Sequence, residues 1–353
     1  MEIISSFVSV LNNIWPYVVA VLVFIILIII HEFGHFIAAK LMGVRVNEFA
    51  VGFGPKLFSK QLGETTYKVN LIPLGGYCAM EGEDEDSTDE RAFCNKKAWR
   101  RFIIVVAGAL FNLILGVILV AVSLAPGKYF ATTTVASFAE DAVSANSGLK
   151  VGDKIIAVDT RKIYTTYDLS YAFTGVSDGK IDITVLRDDK KVQLNNVAFK
   201  TENLDGVDYI AVDFWVEPEQ KTFINYVKQS IKTSFSYVRV VWFSLIDLIG
   251  GKFGLNAVSG PVGVTAAIGS AAKANLLNLI PIMALITINL GIFNLLPIPA
   301  LDGGRLLFII FEMVFKKSVP QKFEGVVHTV GFILLFGFMI LITFKDIWKL
   351  IAG

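Results

Sequence analysis

The residues with the clearest chemical potential are His31, Glu32 and His35, which form the pattern HExxH. On a helix, side chains four residues apart project from the same face, so both imidazoles can reach one metal ion. Glu32 lies beside them, where a carboxylate can take a proton from a metal-bound water. The motif follows fourteen consecutive apolar residues, 17–30, where ionisable groups are costly and usually functional. The alternative interpretation is that the polar residues of this motif have no catalytic role and only end the first span at the membrane interface.

A catalytic zinc site normally takes a third protein ligand in addition to two histidines. His328 is one candidate, but it stands alone near the start of the last apolar segment. Asp302 is the better candidate, because topology brings it to the depth of the HExxH motif. Pro297 and Pro299 interrupt the helix just before it, and irregular backbone at membrane depth is tolerated where it lines a cavity. The alternative for Asp302 is a helix-capping role.

The composition indicates that membrane helices position these residues. Of 353 residues, 54% are hydrophobic and 18% are charged. A soluble domain usually carries about a quarter charged residues, so an ordinary cytosolic enzyme is excluded. The net charge of +1 and the lack of a basic block argue against a nucleic-acid partner. Two cysteines can form neither a disulfide framework nor a four-cysteine zinc site.

Hydropathy predicts a polytopic α-helical membrane protein with about four transmembrane helices. Three apolar segments are long enough to cross about 30 Å of hydrocarbon, and the last is near the lower limit. The segments begin at residues 17, 102, 276 and 326. The stretch 223–249 mixes apolar and charged residues, and an amphipathic helix on the outer surface is favoured over a fifth span.

The distribution of basic residues predicts the orientation. Residues 1–16 contain no Lys or Arg, whereas 40–101 contain many. The positive-inside rule therefore places the N-terminus outside and the HExxH motif towards the cytoplasm. Lys345 and Lys349 argue mildly the other way. Residues 127–220 are then extracytoplasmic.

Two regions outside the membrane have strand patterns. Residues 65–72 read as a strand followed by a turn at 73–77, which predicts a β-hairpin region on the cytoplasmic side. Residues 130–215 show short strands separated by turns, typical of a small mostly-β domain. The predicted domains are 1–126 with the first two spans, 127–220 as the mostly-β domain, 221–275 as an amphipathic interfacial segment, and 276–353 with the last two spans.

These motifs together resemble the site-2 intramembrane zinc metalloproteases of the regulator-of-sigma-factor type. Besides HExxH, the resemblance rests on residues 294–304 and on three shorter motifs, GFGP at 52–55, PLGGY at 73–77 and SGPVG at 259–263. It implies zinc held by His31, His35 and Asp302, with Glu32 as the catalytic glutamate. It also implies that Asn294 lies near bound substrate.

The resemblance carries two further expectations. Residues 147–158 match the turn-and-strand signature of a single extracytoplasmic PDZ domain, which either binds extended peptides or, as we favour, acts as a size filter. The strand at 65–72 would hold an extended substrate by edge pairing through Tyr67, Val69 and Leu71. The alternative is a purely structural hairpin.

The expected function is hydrolysis of peptide bonds in transmembrane segments, by zinc-activated water with a glutamate general base. The resemblance implies single-span substrates in the lipid bilayer, such as pre-trimmed anti-sigma factors or remnant signal peptides, and a bacterial cytoplasmic membrane location. One rival is a metalloprotease with a glutamate as third ligand, which the setting of Asp302 disfavours. Another is a non-proteolytic metal-binding scaffold or a divalent-metal transporter.

Overall fold

The structure is a computed structural model that describes residues 2–83, 85–204, 206–254 and 257–352. Eight α-helices and ten β-strands are found in these residues. The helices are α1 (Glu2–Leu41), α2 (Ala98–Leu124), α3 (Thr166–Ala172), α4 (Phe223–Ile249), α5 (Pro261–Ala274), α6 (Leu279–Leu295), α7 (Asp302–Phe315) and α8 (Gln321–Ala352). The strands are β1 (Val46–Leu62), β2 (Thr65–Met80), β3 (Tyr129–Phe138), β4 (Lys154–Val158), β5 (Arg161–Lys162), β6 (Lys180–Arg187), β7 (Lys190–Ala198), β8 (Lys200–Leu204), β9 (Val207–Ala211) and β10 (Phe214–Gln220).

Four helical stretches are long and apolar enough to cross a membrane, as the sequence predicts. They are Ile14–Leu41, Ala98–Leu124, Leu276–Leu295 and Gln321–Lys349. Helix α4 is not among the candidate spans found in the described residues. The chain is therefore a multi-pass membrane protein that also carries a β-rich region.

The chain divides into two compact units, which differ from the predicted domains. We call Met1–Leu119 with Ser259–Gly353 the membrane unit, and Val120–Val258 the β-rich unit. The predicted interfacial segment 221–275 contains two helices that belong to different units. Helix α4 packs with the β-rich unit, whereas α5 packs against α1 through Ile268 and Ala272. Hydropathy along the sequence could not separate them, because both helices are amphipathic or weakly apolar.

Two apolar clusters hold the membrane unit together. In one, Ala20 and Leu27 of α1 pack with buried residues of α5 and α6. In the other, the end of α1 packs with Ile104 of α2 and with Leu306 and Ile309 of α7. Helix α7 was not anticipated from the sequence. It begins at Asp302, where a carboxylate is favourable because the helix dipole is positive at the N-terminus.

The β-rich unit is built around one sheet with the strand order β10-β3-β4-β6-β7, to which β5 adds beside β4. Strands β8 and β9 form a separate pair. Its core includes Val135 of β3, Ile155 of β4 and Ile183 of β6. Helix α3 begins with a capping box in which Thr165 and Asp168 satisfy each other's backbone N–H groups. Arg239 and Ser236 of α4 also donate to Asp168, and this ties α4 to α3.

An ion pair with a buried carboxylate supports the turn that precedes β4. Asp153 is fully buried and accepts hydrogen bonds from the backbone N–H of Lys150 at 2.8 Å and from two guanidinium nitrogens of Arg187, each at 2.7 Å. Both carboxylate oxygens are thereby used, and charge-assisted bidentate pairs of this kind are strong. The turn of the 147–158 signature thus depends on a contact with β6.

We expect Asp153→Asn to destabilise the sheet of the β-rich unit by about 2 kcal/mol, because the buried side chain loses its charge-assisted hydrogen bonds to the partly exposed Arg187 guanidinium. Hydrogen exchange of the full-length protein should show faster opening of β3, β4 and β6. Asp141→Asn is the matched control, because Asp141 pairs with Lys200 while both side chains are more than half exposed. Equal exchange in the two variants would contradict the structural role of Asp153.

Candidate metal centre

The structure brings His31, His35 and Asp302 together at one point of the membrane unit. The Nε2 atoms of the two histidines lie 3.2 Å apart. Oδ2 of Asp302 lies 3.2 Å from Nε2 of His31 and 3.3 Å from Nε2 of His35. Both histidines are buried, and Asp302 is partly buried. Three potential ligand atoms thus form a nearly equilateral triangle.

The donor set and its spacing fit a zinc ion. Zinc bound to nitrogen and oxygen at ~2.0–2.1 Å in a tetrahedron separates its ligand atoms by ~3.3–3.4 Å. The observed separations of 3.2, 3.2 and 3.3 Å are close to these values. Among the described residues, Oδ2 of Asp302 is a buried oxygen without a hydrogen-bond partner, as expected of a ligand atom reserved for a cation.

A backbone carbonyl of α2 fixes the tautomer of His35. Nδ1 of His35 lies 2.9 Å from the carbonyl oxygen of Ile104. Since a carbonyl oxygen can only accept, Nδ1 must carry the proton, and the lone pair of Nε2 faces the other two ligand atoms. Metal-binding histidines are commonly oriented by such a hydrogen bond.

The corresponding neighbour of His31 is Asn112, which the sequence analysis did not place at the metal centre. Asn112 is fully buried in α2, and its Nδ2 lies 3.3 Å from Nδ1 of His31. Rotation of the amide exchanges Nδ2 and Oδ1, so this side chain can offer Nδ1–H an acceptor. The sequence signal was available, because Asn112 is a polar residue inside an otherwise apolar span.

Two glycines allow α1 and α2 to approach closely around the histidines. A Cβ atom added to Gly34 would lie 2.4 Å from the carbonyl oxygen of Ala107. A Cβ atom added to Gly108 would lie 2.3 Å from Nε2 of His35. Small residues at membrane helix contacts permit this kind of packing. The short distance between the two backbones is what allows Ile104 and Asn112 to reach the histidines.

The third ligand candidate reaches the centre from the other end of the chain. Asn294 lies near the end of α6, with Nδ2 3.4 Å from each ring nitrogen of His31. A short non-helical loop then leads to Asp302, the first residue of α7. His328, the other candidate, lies on α8 and is not part of the triangle. Its Nδ1 instead accepts a hydrogen bond from the backbone N–H of Ala300 at 3.0 Å.

Glu32 lies next to His31 on α1 and beside strand β2. It is partly buried, and its Cγ would lie 3.4 Å from a Cβ atom added to Gly76. The PLGGY turn of the sequence is therefore part of β2 in the structure, and its Gly76 runs past the candidate general base. A Cβ atom there would be in van der Waals contact with Glu32 and would lie 3.0 Å from the carbonyl oxygen of Ala50, which would have to shift slightly.

Edge pairing through Tyr67 and Val69 is a prediction that the structure corrects. Tyr67 pairs with both Phe49 and Lys60, and Val69 pairs with both Val51 and Phe58. Their backbone groups are therefore occupied on two sides, and this part of the strand is interior to its sheet. Near Glu32 the backbone of β2 pairs on one side, where Gly76 faces Val51 and Tyr77 faces Ala50. The other edge at Gly76 has no strand partner among the described residues.

We expect Gly108→Ala to weaken zinc binding about tenfold or more, because the added methyl group displaces the ring of His35 and affinity depends on such orientation. Zinc affinity of the purified protein, measured by competition with a chelating dye, tests this. Gly116→Ala is the matched control on the same helix, because its methyl group meets the side chain of Ile288 and no ligand. An equal loss of affinity in both variants would indicate general damage to helix packing.

Comparison with known proteins identifies the family to which the chain belongs. Residues 19–338 match peptidase family M50. A protein of Clostridium perfringens named as a zinc metalloprotease is 36% identical over 333 residues, which are 93% of this chain and 97% of that protein. Similarly named proteins of Clostridium acetobutylicum and Fusobacterium nucleatum are 37% and 34% identical, and the alignments cover 94% and 95% of this chain and 96% and 99% of those proteins.

The family match covers most of the chain, including all three corners of the triangle and all four candidate spans in whole or in large part. The relatives are similar over nearly their whole lengths, so the likeness is not confined to one region. The chain therefore belongs to peptidase family M50, the site-2 protease family, and is a membrane-embedded zinc metalloprotease.

Proposed function

We propose that the chain is an intramembrane endopeptidase that cleaves the transmembrane segments of single-span membrane proteins. The observation that carries this proposal is the triangle of His31, His35 and Asp302, in which both histidines, with Glu32 beside them, belong to a helix that is long and apolar enough to cross the membrane. Pre-trimmed anti-sigma factors or remnant signal peptides are the substrate class that we infer. Such substrates have short segments outside the bilayer and place their scissile bonds within it.

The roles of the residues follow from their chemistry. His31, His35 and Asp302 would hold the zinc ion, which supplies a water of lowered pKa and polarises the scissile carbonyl. Glu32 would accept the proton of the attacking water and return it to the leaving amine. Ile104 and Asn112 would keep the imidazoles oriented while the charge around them changes.

Substrate would bind in an extended conformation beside Glu32. A helical substrate has its carbonyl groups bonded and shielded, so it must unwind locally before hydrolysis. The free edge of β2 at Gly76 could replace the lost backbone hydrogen bonds by strand addition. Asn294, close to His31, would contact the substrate near the scissile bond. Val69 and Leu71 have exposed side chains and remain proposed apolar contacts, whereas the ring of Tyr67 packs against neighbouring rings.

We place the enzyme in the cytoplasmic membrane of a bacterium, with the N-terminus outside. The relatives described above are bacterial proteins. Lys and Arg are concentrated between α1 and α2, which supports a cytoplasmic location for β1 and β2. The HExxH motif lies in the second half of the first span, so cleavage would occur towards the cytoplasmic side and release a fragment inward.

The β-rich unit would be an extracytoplasmic PDZ-like domain. The five-strand path of its sheet, the short helix α3 and the 147–158 turn support this reading. A cleft of about 330 Å³ beside α3 is walled by the unit's own α4, including Thr233 and Tyr237. A groove that already contacts its own helix favours a size filter over a peptide receptor.

Helix α4 would lie at the outer membrane surface. The hydroxyl group of Tyr226 donates to the carbonyl oxygen of Ala121, in the last turn of the second span, at 2.6 Å. One face of α4 is buried in the unit, and another exposes apolar side chains at helical spacing. These are Ile224, Val227, Ile231, Phe235, Trp242 and Ile246. A helix with such a face and charged neighbours suits the headgroup boundary.

The first test is cleavage by Glu32→Gln. This change keeps the size of the side chain and removes the general base, so we expect cleavage to fall by about 10²–10⁴-fold while zinc stays bound. The measurement is proteolysis of a tagged single-span reporter with a short ectodomain, by purified protein in liposomes. Glu202→Gln is the control, because Glu202 is an exposed acidic residue of β8 in the β-rich unit and is not part of the triangle. Normal cleavage by Glu32→Gln would overturn the assigned mechanism.

The second test concerns the third ligand. Asp302→Asn removes the anionic oxygen and should weaken zinc affinity by more than the ~10–100-fold that loss of an outer partner costs. Zinc content after dialysis and chelator competition measure this directly. Unchanged affinity would show that Asp302 does not bind the metal, whatever happens to cleavage.

A further inference from the structure

The loop between α6 and α7 determines where Asp302 points. It is tightly folded, because a Cβ atom added to Gly303 would lie 1.9 Å from the carbonyl oxygen of Leu296, and one added to Gly304 would lie 2.6 Å from that of Ile298. The backbone N–H of Leu301 also donates to Ile298 at 3.2 Å. The first turn of α7 is thus packed directly on the loop, and Asp302 is the first residue of that turn.

One residue of this loop has an unfavourable backbone conformation. Ala300, two residues before Asp302, has a φ angle of +79°. A residue with a Cβ atom rarely adopts this left-handed region, because the side chain crowds the backbone. Such conformations persist only where the surroundings restrain them, and they occur most often at functional sites.

The restraint comes from α8. Nδ1 of His328 accepts a hydrogen bond from the backbone N–H of Ala300 at 3.0 Å. Since this N–H can only donate, Nδ1 must be unprotonated, and the proton of the neutral ring is on Nε2. The ring of His328 also lies 6.0 Å from that of Phe308 on α7, between centroids.

A second contact lies on the same face of α8, one turn further along. A Cβ atom added to Gly331 would lie 2.3 Å from Cβ of Pro299 and 2.7 Å from its carbonyl oxygen. Residues three apart on a helix share a face, so His328 and Gly331 contact adjacent residues of the loop. We call His328 and Gly331 the α8 clamp.

We propose that His328 is a positioning residue of the metal centre, and that the α8 clamp holds the loop in the conformation that presents Asp302 to the two histidines. The proposal rests on the assignment of Asp302 as a zinc ligand. His328 itself does not contact the metal. It acts through the hydrogen bond to Ala300, and Gly331 acts by allowing α8 to approach Pro299.

The test is the zinc affinity of purified full-length variants, measured with a competing chelator, together with kcat and KM for a single-span reporter. We expect His328→Ala to weaken zinc binding about 10–100-fold, as other outer-partner changes do, and to lower kcat more than it raises KM. His328→Asn should stay close to wild type, because Oδ1 of Asn can accept from Ala300 in place of Nδ1. Gly331→Ala should resemble His328→Ala, although it leaves the acceptor intact.

Two more variants serve as a control and as a rescue experiment. Thr329→Ala changes an exposed neighbour whose hydroxyl donates to the carbonyl oxygen of Gly325 within α8, and it should leave zinc affinity unchanged. Adding Ala300→Gly to His328→Ala should restore affinity in part, because glycine adopts a positive φ without restraint. Zinc affinity near wild type in His328→Ala, or an equal loss in His328→Asn, overturns the proposal. If Asp302→Asn binds zinc normally, the ligand assignment has failed instead.

Discussion

Three side chains that could bind one metal ion are desolvated together at one point of the membrane unit, and this arrangement constrains the rest of that unit. Two imidazole nitrogens and a carboxylate oxygen lie within 3.3 Å of one another. A metal cation between them would satisfy all three lone pairs at once, and buried polar atoms without partners are costly. Each ring must also present one chosen nitrogen, so its second nitrogen needs a fixed neighbour. Helix α2 supplies both neighbours, from Ile104 and Asn112.

The arrangement of these three side chains requires the backbones that carry them and their neighbours to approach closely. In lipid there is little hydrophobic drive for helices to associate, so packing of small residues and interhelical hydrogen bonds carry more weight. Gly34 and Gly108 bring α1 and α2 together where the histidines lie, and Gly303 and Gly304 do the same between α7 and its preceding loop. Glycine occurs at these positions because a methyl group would meet backbone or a ligand ring. The ligands are thus held by contacts of main chain with main chain, which tolerate little displacement.

The parts of this arrangement that follow a local period could be predicted from the sequence. The HExxH spacing gives the shared helical face, hydropathy gives the four spans, and the alternation of the spans across the membrane puts Asp302 at the depth of His35, 267 residues earlier. The predictions that failed concern contacts between residues that are distant in the sequence, which no local pattern specifies. Alternation at residues 65–72 predicts a strand but not how many partners it has, and the fold of β1 places partners on both sides of Tyr67. The role of Asn112 likewise depends on which helix its face meets.

Helix α8 shows how few contacts can matter in this environment. Only 6% of the residues in its most apolar stretch are buried. An apolar groove of about 430 Å³ lies between it and the loop at Ile298 and Pro299. Contacts with lipid chains can replace most of its apolar contacts with protein at little cost, so, apart from the close packing of Gly331 on Pro299, apolar contacts do little to fix the position of the helix. The polar contacts near the two ends of α8 differ from these apolar contacts, because lipid chains cannot replace them.

At one end of α8, His328 accepts from Ala300. Towards the other end, Asp346 accepts from the backbone N–H groups of Gly260 and Gly263, at 2.8 and 2.9 Å, at the start of α5. Lipid chains cannot substitute for these hydrogen bonds, because hydrocarbon has neither donors nor acceptors. The buried area of α8 therefore underestimates its importance. The helix is located by its ends, and one of those ends holds the loop that carries Asp302.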